Sequence, residues 1–214
     1  KNLYSSPAMA KVAEEAFEMA NCSLDDVAAL DLYSCFPSAV QIACDEMGIP
    51  LDDPRGLTVT GGLPYFGGPG NNYVTHSIAE MMNKVRAQPG SKGLVTANGN
   101  YVTKQSAGIY CTEPADKPFM PKDPKIYQAE IDADKGPSVT EVANGDATIE
   151  TYTIMHDRKG PSFGILFGRL PDGSRFIANT PDDSDLMLEM TSKDYLGAEG
   201  KVTEANGVNI FTPS

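Results

Sequence analysis

The sequence predicts an α/β protein in two parts: a layered α/β domain over residues 1–112 and a small β-rich domain over 126–214, joined by a linker at 113–125. Three observations carry this reading. Helix-period and strand-period runs alternate up to Cys111, the pattern of a sheet with helices on both faces. The stretch TEPADKPFMPKDPK at 112–125 holds four prolines and many charges, which break regular structure. Beyond it the apolar runs shorten and are separated by hairpin signals.

In the first part, PAMAKVAEEAFEM at 7–19 places Met9, Val12, Ala16 and Met19 at helical spacing, with Ser6 as N-cap and Pro7 at the first helical position. After the turn SLDD, the run VAALDLY at 27–33 predicts a buried strand, and PSAVQIACDEMG at 37–48 a helix closed by Gly48. LTVT at 57–60 predicts a second strand, leading through GGLPYFGGPGNN into a helix with Val74, Ile78, Met81 and Val85 on one stripe. GLVTAN at 93–98 and SAGIYC at 106–111 read as strands on either side of the turn GNYVTKQ.

In the second part, strands are expected at 147–156, 162–169, 174–179 and 200–205, with PDG at 171–173 and NG at 206–207 as turns. One helix opens on the capping run TPDD at 180–183 and continues through Leu186, Met187 and Met190. Short antiparallel strands with one helix in about 75 residues predict a small barrel of the OB type.

A hydrophobic share of 41% and a charged share of 21% are those of a chain that buries a core. The formal net charge of -12 excludes nucleic acid and anionic membranes as main ligands, since both are bound through Lys and Arg. No apolar run approaches the roughly 20 residues of a bilayer span, and KNLYSSPAMA lacks a signal-peptide core, so a soluble, cytoplasmic protein is expected. Lys1 opens the chain without a methionine just ahead of a helix, as in a piece cut from a larger protein. Cys22, Cys35, Cys44 and Cys111 lack CxxC pairing and read as small buried thiols, Cys35 alone staying open to a role; His76 and His156 lie far apart, so no metal site is expected.

Five glycines and two prolines at 61–72, Gly61, Gly62, Gly67 and Gly68 among them, allow positive φ and close approach of a ligand to backbone. Such a loop either holds an oxyanion or a thioester, or is a tight structural turn; it matches neither a P-loop nor GxGxxG. His76 falls about 200° around the helix from Val74, away from the core stripe, as a polar-face histidine or a general base. Tyr33, in DLYSCF, sits where the first strand ends, the place where open α/β sheets bind ligands, either as a packed aromatic or as an acid or hydrogen-bond donor.

The order LDLYSCF, TVTGGLPYFGGPGNNYVTHSIAEM, GLVTANGNYVTK resembles the C-terminal half of thiolases, particularly the sterol-carrier-protein type and its thiolase-like branch. Residues from about 147 to 213 resemble the extra C-terminal domain of thiolase-like protein type 1. The resemblance implies a layered α/β/α fold with a mixed sheet, an acyl-CoA thioester as substrate or ligand, no tightly bound cofactor, and a partner N-terminal thiolase half. It implies acetyl-CoA acetyltransferase-type chemistry, in which a Cys of that half carries the acyl group, a His from GHP activates it, and a second Cys from CxG moves the proton. In this chain Tyr33 stands where Asn or His is expected, Gly68 where the GHP histidine is expected, and Asn98 or a neighbour where the second Cys is expected. Classical thiolysis therefore lacks its acid and base here. Two further readings follow: a retro-aldolase on CoA esters in which Tyr33 is the acid or base, helped by His76, and a non-catalytic acyl-CoA-binding or assembly module. A lone half is also expected to expose an apolar face or to form a homodimer through it.

Overall fold

The structure, a computed structural model, describes residues 2–214. It falls into two compact units, Asn2–Asp134 and Lys135–Ser214.

The first unit is built on a three-stranded sheet of β1 (Val27–Asp31), β2 (Lys92–Gly99) and β3 (Lys104–Cys111) in that order. β1 runs parallel to β2 and β3 antiparallel to it, so the sheet is mixed. Alternation along the strands sends side chains to opposite faces. Leu30, Leu32 and Leu94 pack with Met9 of α1 (Pro7–Met19) and with Ala43 and Cys44 of α2 (Pro37–Met47). Val95 packs instead with Met81 and Val85, after the short α3 (Leu63–Phe66), on α4 (Tyr73–Ala87). The layered α/β/α arrangement is thus realised, with Gly48 closing α2 in the left-handed conformation at φ 67°.

Residues 57–60 do not form the expected strand. Leu32 donates one backbone hydrogen bond to Leu57. The N–H groups of Val59 and Thr60 then turn to the Asp31 carboxylate, so a side chain takes the place of a β ladder. Ser6 precedes α1 without capping it; its hydroxyl donates to the Val102 carbonyl. Of the four cysteines, all free thiols, only Cys44 is buried and the others are half-buried.

Residues 112–123 carry no helix or strand, but the last proline of that stretch opens α5 (Pro124–Ala133), whose N-cap Asp123 accepts from the Lys125 N–H. The helix belongs to the first unit. Lys122 pairs with Glu15 and Glu18 of α1, both at 2.7 Å, and Lys11 reaches Glu130 at 3.6 Å.

In the second unit, β4 (Gly145–Asp157), β5 (Gly160–Arg169), β6 (Arg175–Asn179), β7 (Glu199–Ala205) and β8 (Val208–Pro213) close a barrel in the order β4-β5-β6-β8-β7. β4 pairs with both β5 and β7, which shuts the cylinder. The helix α6 (Ser184–Ser192) lies between β6 and β7, capped by Asp183 through the N–H groups of Asp185 and Leu186. This is the OB-type barrel expected. Ile149, Leu166, Phe176, Met190, Val202 and Phe211 fill its interior. On its wall, Glu150 takes paired hydrogen bonds from Arg169 (2.9 and 2.9 Å) and Arg175 (2.7 and 2.6 Å). Those bonds, Arg175 foremost, hold its carboxyl down to about 2.

Candidate functional site

A buried carboxylate, a tyrosine and a held amide gather at the C-terminal ends of β1 and β2. Asp31, the last residue of β1, is fully buried, and no ion pair reaches it among the described residues. Hydrogen bonds take the place of a cation. One carboxylate oxygen faces the N–H groups of Val59 (3.0 Å) and Thr60 (3.3 Å) and the Thr60 hydroxyl (3.2 Å). The other faces the hydroxyls of Ser77 (2.7 Å) and Tyr73 (3.2 Å). Thr60 and Tyr73 also meet each other at 2.6 Å, so their two protons are shared among three contacts. The result ties β1, the glycine-rich loop and the first turns of α4 into one rigid corner. The sequence signal for Asp31 was available: an acidic residue inside the apolar run VAALDLY must be buried, and a buried carboxylate must be hydrogen-bonded.

Two residues past Asp31, the backbone N–H of Tyr33 is fixed by the Thr96 hydroxyl at 2.9 Å, and its ring meets Tyr73 edge-on at 5.5 Å. The Tyr33 hydroxyl has no hydrogen-bond partner among the described residues. Desolvation pushes its pKa up, with Cys35 and Tyr73 adding to the effect, so at neutral pH it is a proton donor rather than a base. From β2, Asn98 donates to Cys35 Sγ (3.4 Å) and accepts from Gln105 Nε2 (2.9 Å), which fixes the orientation of its amide. Tyr33 and Asn98 line one cleft of about 270 Å³, completed by Asn71, Tyr73, Lys104 and Ser106.

The other expected site residues lie outside that lining. Gly62 is buried with φ 87°, its N–H on Thr60 Oγ1, and the Ser34 hydroxyl stands where its Cβ would go. At Gly61, exposed like Gly67 and Gly68, a Cβ would meet the Tyr65 ring. The inner half of the loop is therefore held as a structural turn, with α3 inside it. His76 is half-buried; its ring packs on Phe66 at 5.1 Å and its Nε2 lies 3.5 Å from Asn72 Nδ2. It does not line the cleft. Among the described residues, no group of three His, Cys, Asp or Glu side chains is placed to hold a metal ion. No helix among them is long and apolar enough to cross a membrane.

Residues 127–206 match the family described as the thiolase-like protein type 1 additional C-terminal domain. Across 98% of its length the chain is similar to the crystal structure of a monomeric SCP2-thiolase-like protein type 1 from Mycobacterium smegmatis, with 48% identity and a TM-score of 0.90. It spans 46% of the length of that protein. No curated protein sequence matches it at a significant level.

Proposed function

We propose that the chain is part of a thiolase-like protein of type 1, which its match to the additional C-terminal domain and its similarity to an SCP2-thiolase-like protein type 1 support, and that it supplies the acyl-thioester-recognising wall of an acyl-CoA-handling protein of the acetyl-CoA acetyltransferase type. The observation that carries this is the convergence of Tyr33 and Asn98 on one cleft at the ends of adjacent parallel strands. A protonated phenol and an amide N–H held by a neighbour are both donors, and two donors facing one cavity suit a carbonyl oxygen that gains charge during reaction. With Gly68 and Asn98 where the resemblance calls for His and Cys, the chain contributes carbonyl recognition and not the thiolytic acid and base. Any nucleophilic Cys belongs to an N-terminal thiolase half.

Phe36 just after β1, Tyr65 and Phe66 on α3 in the glycine-rich loop, and Tyr101 just after β2 are exposed, which supports such a half, or a second copy, closing over these segments. The free cysteines support a reducing, cytoplasmic setting. Coenzyme A thioester is then the ligand, with no tightly bound cofactor.

Calorimetric titration of CoA and acetoacetyl-CoA into the full-length protein and into this chain, followed by a thiolysis assay, tests the reading. Thioester binding without thiolysis is the expected result; thiolysis at an enzymatic rate would place the catalytic His and Cys elsewhere than the resemblance does. The free, protonated Tyr33 hydroxyl favours one second reading, a retro-aldol cleavage of β-hydroxyacyl-CoA esters in which the Cα–Cβ bond breaks as the β-hydroxyl loses its proton to solvent and becomes a carbonyl, Tyr33 protonates the thioester enolate, and solvent restores the phenol. Unchanged cleavage in Tyr33→Phe would eliminate it.

A further inference from the structure

The two units differ in how their apolar surfaces are covered. In the α/β unit a cavity of about 480 Å³ between α1, β3 and α5 has its outer wall supplied by Tyr127 and Ile131 of α5. The outer face of the barrel strands β4, β5 and β6 has no such cover among the described residues. Along β5, Gly164, Leu166 and Gly168 are buried and point inward, so Phe163, Ile165 and Phe167 point outward. Their cross-strand partners share that side: Met155 of β4 lies opposite Phe163, and Ile177 of β6 opposite Phe167. None of these five side chains packs against the barrel core. Met155 is 43% exposed, Phe163 45% and Ile177 52%.

The run FGILFG at 163–168 is apolar on both faces, the composition of a strand buried on both sides, yet the barrel interior covers only one. A sheet face of this kind is completed by packing against another element. Because β5 is already paired along both edges, by β4 and by β6, that element packs on side chains and adds no strand, which suits a helix. The charges around the strip narrow the choice. Arg158 and Lys159 stand exposed at the turn between β4 and β5, with Asp157 as their only acidic neighbour in the turn, and neither joins an ion pair among the described residues. At the far end the charges cancel, Arg169 and Arg175 standing with Glu150 and Asp172, and the Arg175 guanidinium lies 6.0 Å from the centroid of the Phe167 ring. Residues 180–204, by contrast, hold seven Asp or Glu against Lys193 and Lys201. The strip is therefore an apolar surface with one cationic pole on an otherwise acidic protein.

We propose that this strip is a docking surface for another protein, which lays an amphipathic helix across Phe163, Phe167 and Ile177 with an acidic end against Arg158 and Lys159. The inference is independent of the reading of the cleft. From Phe163 to Phe167 the strip runs roughly 13 Å, the length of two to three helical turns. A net charge of -12 sets the chain against an anionic membrane, and a second copy laid strip on strip would leave both cationic poles without a counter-charge. An acidic amphipathic helix satisfies the apolar face and the pole together.

The test is fluorescence-anisotropy titration of the full-length protein with two labelled synthetic helices of about 18 residues, carrying the same leucine stripe and either Glu or Lys at one end. The Glu-ended helix is expected to bind. Its affinity should fall by about tenfold or more in the double variant Phe163→Thr, Ile177→Thr, and by about threefold at low salt in Arg158→Ser, Lys159→Ser. All four positions are exposed and lie outside the barrel core, so thermal melting should match wild type. Equal binding of the Lys-ended helix, no binding of either helix, or a Glu-ended helix indifferent to the Thr variant would overturn the proposal. Sedimentation and flotation with phosphatidylserine vesicles check the other occupants: a dimer or a vesicle complex that wild type forms and the Thr variant loses assigns the strip to a second copy or to a membrane instead. Binding by this chain but not by the full-length protein assigns it to the remainder of the longer protein.

Discussion

Removing the Asp31 carboxylate should unfold the first unit at markedly lower denaturant concentration, and the hydrogen bonds around it set the size of the effect. Asp31→Ala strips acceptors from the N–H groups of Val59 and Thr60, from the Ser77 hydroxyl, and from whichever of Thr60 and Tyr73 points at the carboxylate. A buried donor left unsatisfied costs about 1–3 kcal/mol, and water entering the vacated space recovers part of it, giving a net loss of about 3–5 kcal/mol. Asp31→Asn keeps the shape and retains one oxygen for the two N–H groups, while the new amide N–H₂ faces Ser77 and Tyr73, hydroxyls able to turn and accept. It should cost about 1–2 kcal/mol. The chain contains no tryptophan, so helical circular dichroism during urea unfolding is the suitable signal. It reports mainly the first unit, which holds α1, α2, α4 and α5 against the single α6 of the barrel. An Asp31→Ala variant within about 1 kcal/mol of wild type, or an Asn variant as damaged as the Ala, would refute the network as the anchor of this corner.

Three further outcomes are expected. Glu150, held at about 2 against an unperturbed 4.5, stabilises the barrel fully above pH 4.5 and loses that contribution as pH falls towards 2; acid titration of barrel melting should flatten in Glu150→Gln. In Tyr33→Phe, the tyrosinate signal lost from an ultraviolet pH titration should be one that ionises above the usual value of about 10, and loss of a signal at or below it would remove the case for Tyr33 as a neutral donor. Gly62→Ala, forced into φ 87° with its Cβ 2.9 Å from Ser34 Oγ, should destabilise the first unit by about 1–3 kcal/mol in the same urea assay, whereas a neutral result would mean the loop shifts freely.

The helices over 7–19 and 37–47 were legible because apolar spacing and local punctuation agree there: proline opens both and glycine closes the second. The barrel was legible from its short runs, its hairpin turns and the Asp183 cap. Residues 57–60 misled because LTVT has the propensity of a strand, yet its hydrogen-bond partner is a carboxylate on a neighbouring strand, which no local pattern encodes. α5 escaped notice because it has no fully buried residue and lies at the end of a proline-rich stretch. Of the site, Tyr33 and Asn98 are 65 positions apart in sequence and share a cleft only because β1 and β2 are parallel neighbours. The glycines drew attention through composition, but composition does not distinguish a loop that opens to a ligand from one that closes on Ser34 and Tyr65.

The match to the additional C-terminal domain begins at residue 127, inside α5, whereas the break in packing falls after Asp134. The matched module and the folded module therefore have different bounds, since the match carries on its leading end a strap that packs with the α/β unit. A gene trimmed at residue 127 would sever that strap, leave the barrel whole, and strip the α/β unit of the outer wall of its larger cavity. Substitutions at Tyr127 and Ile131, inside the matched region, alter the cavity of the α/β unit without changing a residue of its sheet.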